Sequence, residues 1–198
     1  MRSNLKAFLA VLALCALVTT FSLRETPKGT LALPAPKHQV VLVGFGGPEQ
    51  PDLVPIADFI ESHTGQRPRI GPDVDFSLAQ MDYCLDRDRH QWDADKMVEL
   101  IDVPEGAVAI AVFNDSLYTS GIPQWRYCFG LKRGHRAILS PANMAGTNPL
   151  FTASRLNKMT LRYVLEMAYE MPRKNDRKSL LHNSIMGPSD LDLMEIRI

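Results

Sequence analysis

A stripe of apolar residues near the C-terminus constrains this chain more than any other feature. Leu156, Met159, Tyr163, Val164, Met167 and Met171 recur at spacings of three and four, which places them on one face of a helix. The spacing predicts a helix from about Arg155 to Met171. Ser154 is its expected N-cap, and Pro172 its expected stop, because a proline biases the residue before it away from helical geometry. Leu161, Leu165 and Ala168 add a second apolar flank, so the helix should be largely enclosed.

The elements that enclose it are legible upstream. Gln39 to Val43 is an apolar run ended by Gly44, as suits a strand buried on both faces. Leu53, Ile56, Ala57 and Ile60 repeat at helical spacing, with Gly65 as a stop. Arg69 and Ile70 can form a second short strand. Asp93 can cap a helix with an apolar face of Met97, Leu100 and Ile101, and Ala107 to Phe113 and Ala137 to Leu139 read as further strands. The order strand, helix, strand, helix, strand, strand predicts an α/β (α+β) layered fold. Hydrophobic residues at 45% and charged residues at 22% fit such a globular domain. Twenty-two basic and 22 acidic residues cancel, which argues against a nucleic-acid partner.

The N-terminus differs. Arg2 and Lys6 precede an unbroken apolar run from Ala7 to Leu17 that continues to Leu23, the pattern of a signal peptide or an uncleaved membrane anchor. A Pro-containing tether over 24–37 follows, and the domain proper is expected over 38–198. Its location is then extracytoplasmic, either secreted (periplasmic) or held at a membrane. Cys84 and Cys128 can pair in an oxidising compartment or stay as separately buried thiols. No C-x-x-C motif is present.

Several blocks, taken in order, resemble the archaemetzincin family of zinc metallopeptidases. Arg89-His90-Gln91-Trp92 before a helix, Asn114-Asp115-Ser116-Leu117-Tyr118 after a buried strand, and Trp125 to Gly130 before Ala137-Ile138-Leu139-Ser140 are similar to segments of that family. The helix near 155–171 then stands where the family carries its metal-binding helix, and Ser184-Ile185-Met186-Gly187 where it has its Met-turn. The resemblance implies a zincin-like mixed sheet packed on helices over His38 to Ile198. The family's chemistry needs His-Glu-x-x-His-x-x-Gly-x-x-His: two imidazoles four residues apart, a third beyond a glycine, and a glutamate that activates the metal-bound water. On this sequence the ligand positions hold Leu165, Tyr169 and Asn175, the glycine position holds Pro172, and only the glutamate survives, as Glu166. An apolar Leu165 has no lone pair to give. The expectation is a non-catalytic domain without a cofactor that binds a peptide or protein partner, with Leu165 and Tyr169 filling the metal's place.

The alternative is an atypical zinc peptidase that uses Glu166 as general base with displaced ligands. His182, close to Met186, is the candidate, assisted by Tyr169 and Asp176. Glu166 on an enclosed helix should have a raised pKa unless paired, and Arg162, one turn earlier, is the expected partner. Gly44-Phe45-Gly46-Gly47 is read as a turn rather than a phosphate loop, for want of a following Lys-Ser or Lys-Thr. The charged stretch from Asp82 to His90 is read as a solvated loop with internal ion pairs.

Overall fold

Strict alternation along three buried strands sets the architecture. In a computed structural model, which describes residues 31–46, 51–146 and 148–198, the strands are β1 (Gln39–Gly44), β2 (Arg69–Ile70), β3 (Leu85–Asp86), β4 (Gln91–Asp93), β5 (Ala107–Val112), β6 (Leu117–Tyr118), β7 (Gly130–Arg133) and β8 (Arg136–Leu139). Five form one sheet in the order β2-β1-β5-β8-β7. All neighbours run parallel except the last pair, so β7 is an antiparallel edge strand. β3, β4 and β6 make a second, small sheet.

Because side chains alternate across a strand, each face of the large sheet has its own core. Leu42, Val108, Ile110, Val112, Ala137 and Leu139 face one side. There they meet α1 (Val54–Thr64) and the long helix described below. Val41, Val43, Ala109, Ala111 and Ile138 face the other. That side is covered by α2 (Leu78–Cys84), by α3 (Ala94–Met97) with its 3-10 extension Val98–Leu100, and by the small sheet. The two-sided burial explains why these strands read as continuous apolar runs. Gly130 is required by close approach, since a Cβ there would lie 2.4 Å from the Ile138 carbonyl oxygen.

The long helix, α4, spans Pro149–Met167 rather than 155–171. Asn148, not Ser154, is its N-cap: the Asn148 side chain accepts the Leu150 amide at 2.9 Å, and Pro149 fits the first turn. Its end also comes before Pro172. Lys37 donates its backbone N–H to the Ala168 carbonyl, Met171 donates to Leu165, and Glu170 adopts a left-handed φ of 51°. A last helix, α5, spans Pro188–Leu193.

Other expectations need adjustment. The described chain packs on the core ahead of His38. Leu31 and Leu33 pack on the core, and the Leu31 amide donates to the His63 carbonyl, so 31–37 of the expected tether lie on the domain. The Asp82–His90 stretch is no simple loop. It starts in the last turns of α2 and continues as the β3–β4 hairpin, while keeping the Arg87–Asp82 and Arg89–Asp86 pairs. Helix α2 is fixed by a capping box between Ser77 and Gln80. Cys84 and Cys128 are free and buried; burial raises both thiols, Cys128 to about 12, which makes neither a ready nucleophile. Residues 1–30, where the signal or anchor is expected, lie outside the described residues. Among the described residues, no helix is long and apolar enough to cross a membrane.

Candidate functional site

The last turns of α4 and the edge strand β7 build the site together. Glu166 projects from α4 toward β7 and is 98% shielded, its side chain being 2% exposed. Arg162, one turn earlier, donates Nε to Oε1 at 2.9 Å, the pairing expected from the sequence. Two further cations join it. Lys132 reaches across from β7 and places Nζ 2.7 Å from Oε2. Arg173, beyond the end of α4, donates Nε to Oε1 at 3.1 Å and Nη2 to Oε2 at 3.2 Å. The carboxylate therefore accepts from three cationic side chains at once.

These contacts decide its protonation. Burial pushes Glu166 up, but the hydrogen bonds from Arg173 and Lys132 and the charge of Arg162 outweigh it, so the pKa falls below the ordinary 4.5. Burial lowers Arg162, with Glu166 opposing that shift; a guanidinium stays charged at neutral pH regardless. The folded Glu166 thus resists a proton that the unfolded chain would take up near 4.5. Its stabilising contribution is present above that pH and is lost as acidification passes through the lower, folded-state value. Urea midpoints should fall as pH drops below about 4.5, and they should fall less steeply in Glu166→Gln.

The residues that the sequence resemblance sets at the zinc-ligand positions, Leu165, Tyr169 and Asn175, do not converge as a donor set among the described residues. Leu165 is fully buried in the core between α4 and the sheet. Tyr169 is 5% exposed and lies one residue past the Ala168 cap, where it lines a cavity of about 420 Å³ with Ile60, Thr64 and Val164. Its buried hydroxyl has no hydrogen-bond partner of ordinary geometry. Burial raises that phenol, and Thr64, whose own hydroxyl is committed to the Ile60 carbonyl, offsets the shift in part. Asn175 and Pro172 are exposed. Zinc needs several convergent N, O or S donors; a leucine, a buried phenol and an exposed amide do not supply them.

The residues of the displaced-ligand alternative have other partners or stand apart. Asp176 pairs with Arg197 at 3.1 Å, and Glu166 is committed to its three cations. His182 is held by its backbone to Ser179, with a buried Nδ1 that has no partner. Among the described residues, no group of three or more His, Cys, Asp or Glu side chains is placed to hold a metal. Met186, expected at the Met-turn, is 69% exposed, and its amide is drawn to the Asp190 carboxylate near the start of α5. It forms no apolar floor beneath a ligand set. At the end of β1 the Gly44 amide donates to Asp73 Oδ1.

The sequence reading missed Lys132 and Arg173. Lys132 is distant in the sequence and Arg173, seven residues on, lies beyond the end of α4, so only the folded edge strand and the turn after α4 bring them to Glu166. The matched blocks, by contrast, do meet: Trp92 and Asp93 of β4 pair with Leu117 and Tyr118 of β6, and Arg89 stacks over the Tyr118 ring at 4.8 Å.

A mixed sheet with an antiparallel edge strand, lying over a long helix that carries Glu166, defines the zincin-like class of fold. Within it the architecture is archaemetzincin-like. The chain is similar to the archaemetzincin of Methanopyrus kandleri, with 20% identity and a TM-score of 0.65 over 83% of this chain and 91% of that one. It is also similar to the archaemetzincin of Archaeoglobus fulgidus, solved in complex with malonate, at 12% identity and a TM-score of 0.59 over 80% and 94% of the two chains. A zinc-dependent peptidase from Methanocorpusculum labreanum gives 15% identity and a TM-score of 0.59 over 78% and 93%. No protein-family model and no curated protein sequence matches. At these identities the likeness establishes the fold and leaves the chemistry to the site itself.

Proposed function

We propose that this chain is a non-catalytic zincin-fold domain, a pseudo-metallopeptidase, that binds a peptide or protein partner along β7 without a metal cofactor. The reading rests on one observation: Glu166, the residue at the general-base position, is saturated by Lys132, Arg162 and Arg173 while the ligand positions hold Leu165, Tyr169 and Asn175. A general base must be free to accept a proton from water. A carboxylate with a lowered pKa and three cationic partners is a poor one. Ion pairing here replaces what metal coordination would otherwise organise. The first 23 residues act as an export signal or membrane anchor, which places the domain outside the cytoplasm.

Peptide hydrolysis tests the proposal. Purified protein incubated with mixed peptide substrates and zinc should release no product above a heat-treated control. Chelator-sensitive hydrolysis that disappears in Glu166→Gln would establish the peptidase alternative instead.

A further inference from the structure

The cluster around Glu166 is unbalanced. Lys132, Arg162 and Arg173 surround a single carboxylate, and among the described residues none of the three has a second acidic partner, which leaves an excess of two positive charges. Arg162 is 97% buried, at 3% side-chain exposure, and its Nη1 has no hydrogen-bond partner. Lys132 and Arg173 are different: their side chains are 30% and 45% exposed, so solvent reaches them where β7 meets the turn after α4. Excess positive charge at a partly shielded position draws an anion, because local screening is weaker there than on an open surface.

The strand itself says how the anion would arrive. β7 and β8 are joined by the two residues Gly134 and His135, with Arg133 opposite Arg136. In such a hairpin the pair beside the turn exchanges its hydrogen bonds, as does every second pair after it. Arg133 and Leu131 therefore bond to β8, and the backbone of Lys132 faces the open edge. The side chain of Lys132 points to Glu166 on the α4 side. Those of its neighbours point the other way, Arg133 to Asp95 and Glu99, and Leu131 to the opposite core.

We infer that this edge selects an acidic side chain: the partner is an extended peptide segment that adds to the free edge of β7 and presents an Asp or Glu opposite Lys132, where Arg173 completes the contact. The backbone of the edge strand supplies affinity and the alternate side-chain position supplies selectivity. This inference rests on the reading that β7 docks a peptide, and it specifies the class of peptide that the site prefers.

The probes are an N-acetylated, C-amidated Thr-Val-Glu-Val-Thr and the same peptide with Gln in place of Glu, titrated into the protein while the backbone amides of Gly130–Arg133 are followed by NMR. Blocked ends leave the central side chain as the only difference in charge. The acidic peptide should bind roughly tenfold more tightly or better, since a charge-assisted hydrogen bond is stronger than a neutral one. Its advantage should shrink in high salt and vanish in Arg173→Gln. Arg173 is 45% exposed, so the variant should fold, and circular dichroism checks that it does. Equal binding of the two peptides would overturn the acidic selectivity while leaving edge docking in place. If neither peptide moves the β7 amides, both the selectivity and the docking reading fail.

Discussion

Glu166→Gln should destabilise the protein by about 3–5 kcal/mol, the usual cost of breaking a buried ion pair from one side. The variant keeps the side chain's shape but removes its charge, leaving Arg162 at 3% exposure with no anion to face. Lys132 and Arg173 lose the same partner, although both can recover hydration. Urea unfolding at neutral pH measures the effect through the midpoint, with little change in slope. The result separates two roles that the sequence alone leaves joined. A glutamate kept for catalysis is often neutral or costly to stability, so its removal tends to leave the fold intact or improve it. A glutamate that organises three cations holds the helix end, the edge strand and the following turn together. A loss well under 1 kcal/mol, within the range of exposed ion pairs, would remove the structural role assigned to it.

Leu165→Ala should cost a similar amount, about 2–5 kcal/mol, through lost burial and the cavity left behind. Leu165 is completely buried among residues of α4, α1 and the sheet. At the position that the resemblance sets for the first zinc ligand, the chain has a core side chain. Leu165→His tests the same point from the opposite direction. An imidazole there enters an apolar interior, and burying a polar group without a partner is itself unfavourable. Restoring the first ligand alone should therefore lower the thermal midpoint. A His variant as stable as the parent, with or without zinc, would show that position 165 still opens onto a polar site.

The scaffold was largely legible because the buried strands carry unmixed signals. β1, β5 and β8 read as apolar runs, and Gly65 does end α1 with a left-handed φ of 71°. Helix α4 was legible in kind and misplaced at both ends. Asn148-Pro149 is a stronger start than Ser154, and tertiary hydrogen bonds from Lys37 close the helix before Pro172 acts. Helix α2 went unread although Ser77 and Gln80 spell a capping box, since its face is mostly exposed and carries little periodicity. Charged pairs show the sharper limit. Arg162 lies one turn from Glu166 and could be named from spacing, whereas Lys132 and Arg173 meet it only through the packing of β7 and the turn after α4. Side chains that converge from separate elements leave no periodic trace in a sequence.

The same asymmetry applies to function. The absence of imidazole at 165, 169 and 175 is visible in the chain as a string of letters. The convergence of Lys132, Arg162 and Arg173 on Glu166 is not, because a cationic hub has no fixed spacing. Its consequence is nevertheless concrete: beside Glu166 the half-exposed Lys132 and Arg173 present positive charge to solvent.

Zinc retention tests this most directly. The purified full chain is incubated with an equivalent of zinc, dialysed exhaustively, and its metal content measured by mass spectrometry against protein concentration. A protein whose ligand positions are Leu165, Tyr169 and Asn175 should end with only trace zinc. A full equivalent per chain, lost on Glu166→Gln or His182→Ala, would mean that donors do converge beside Glu166 and that the domain is a metalloprotein after all.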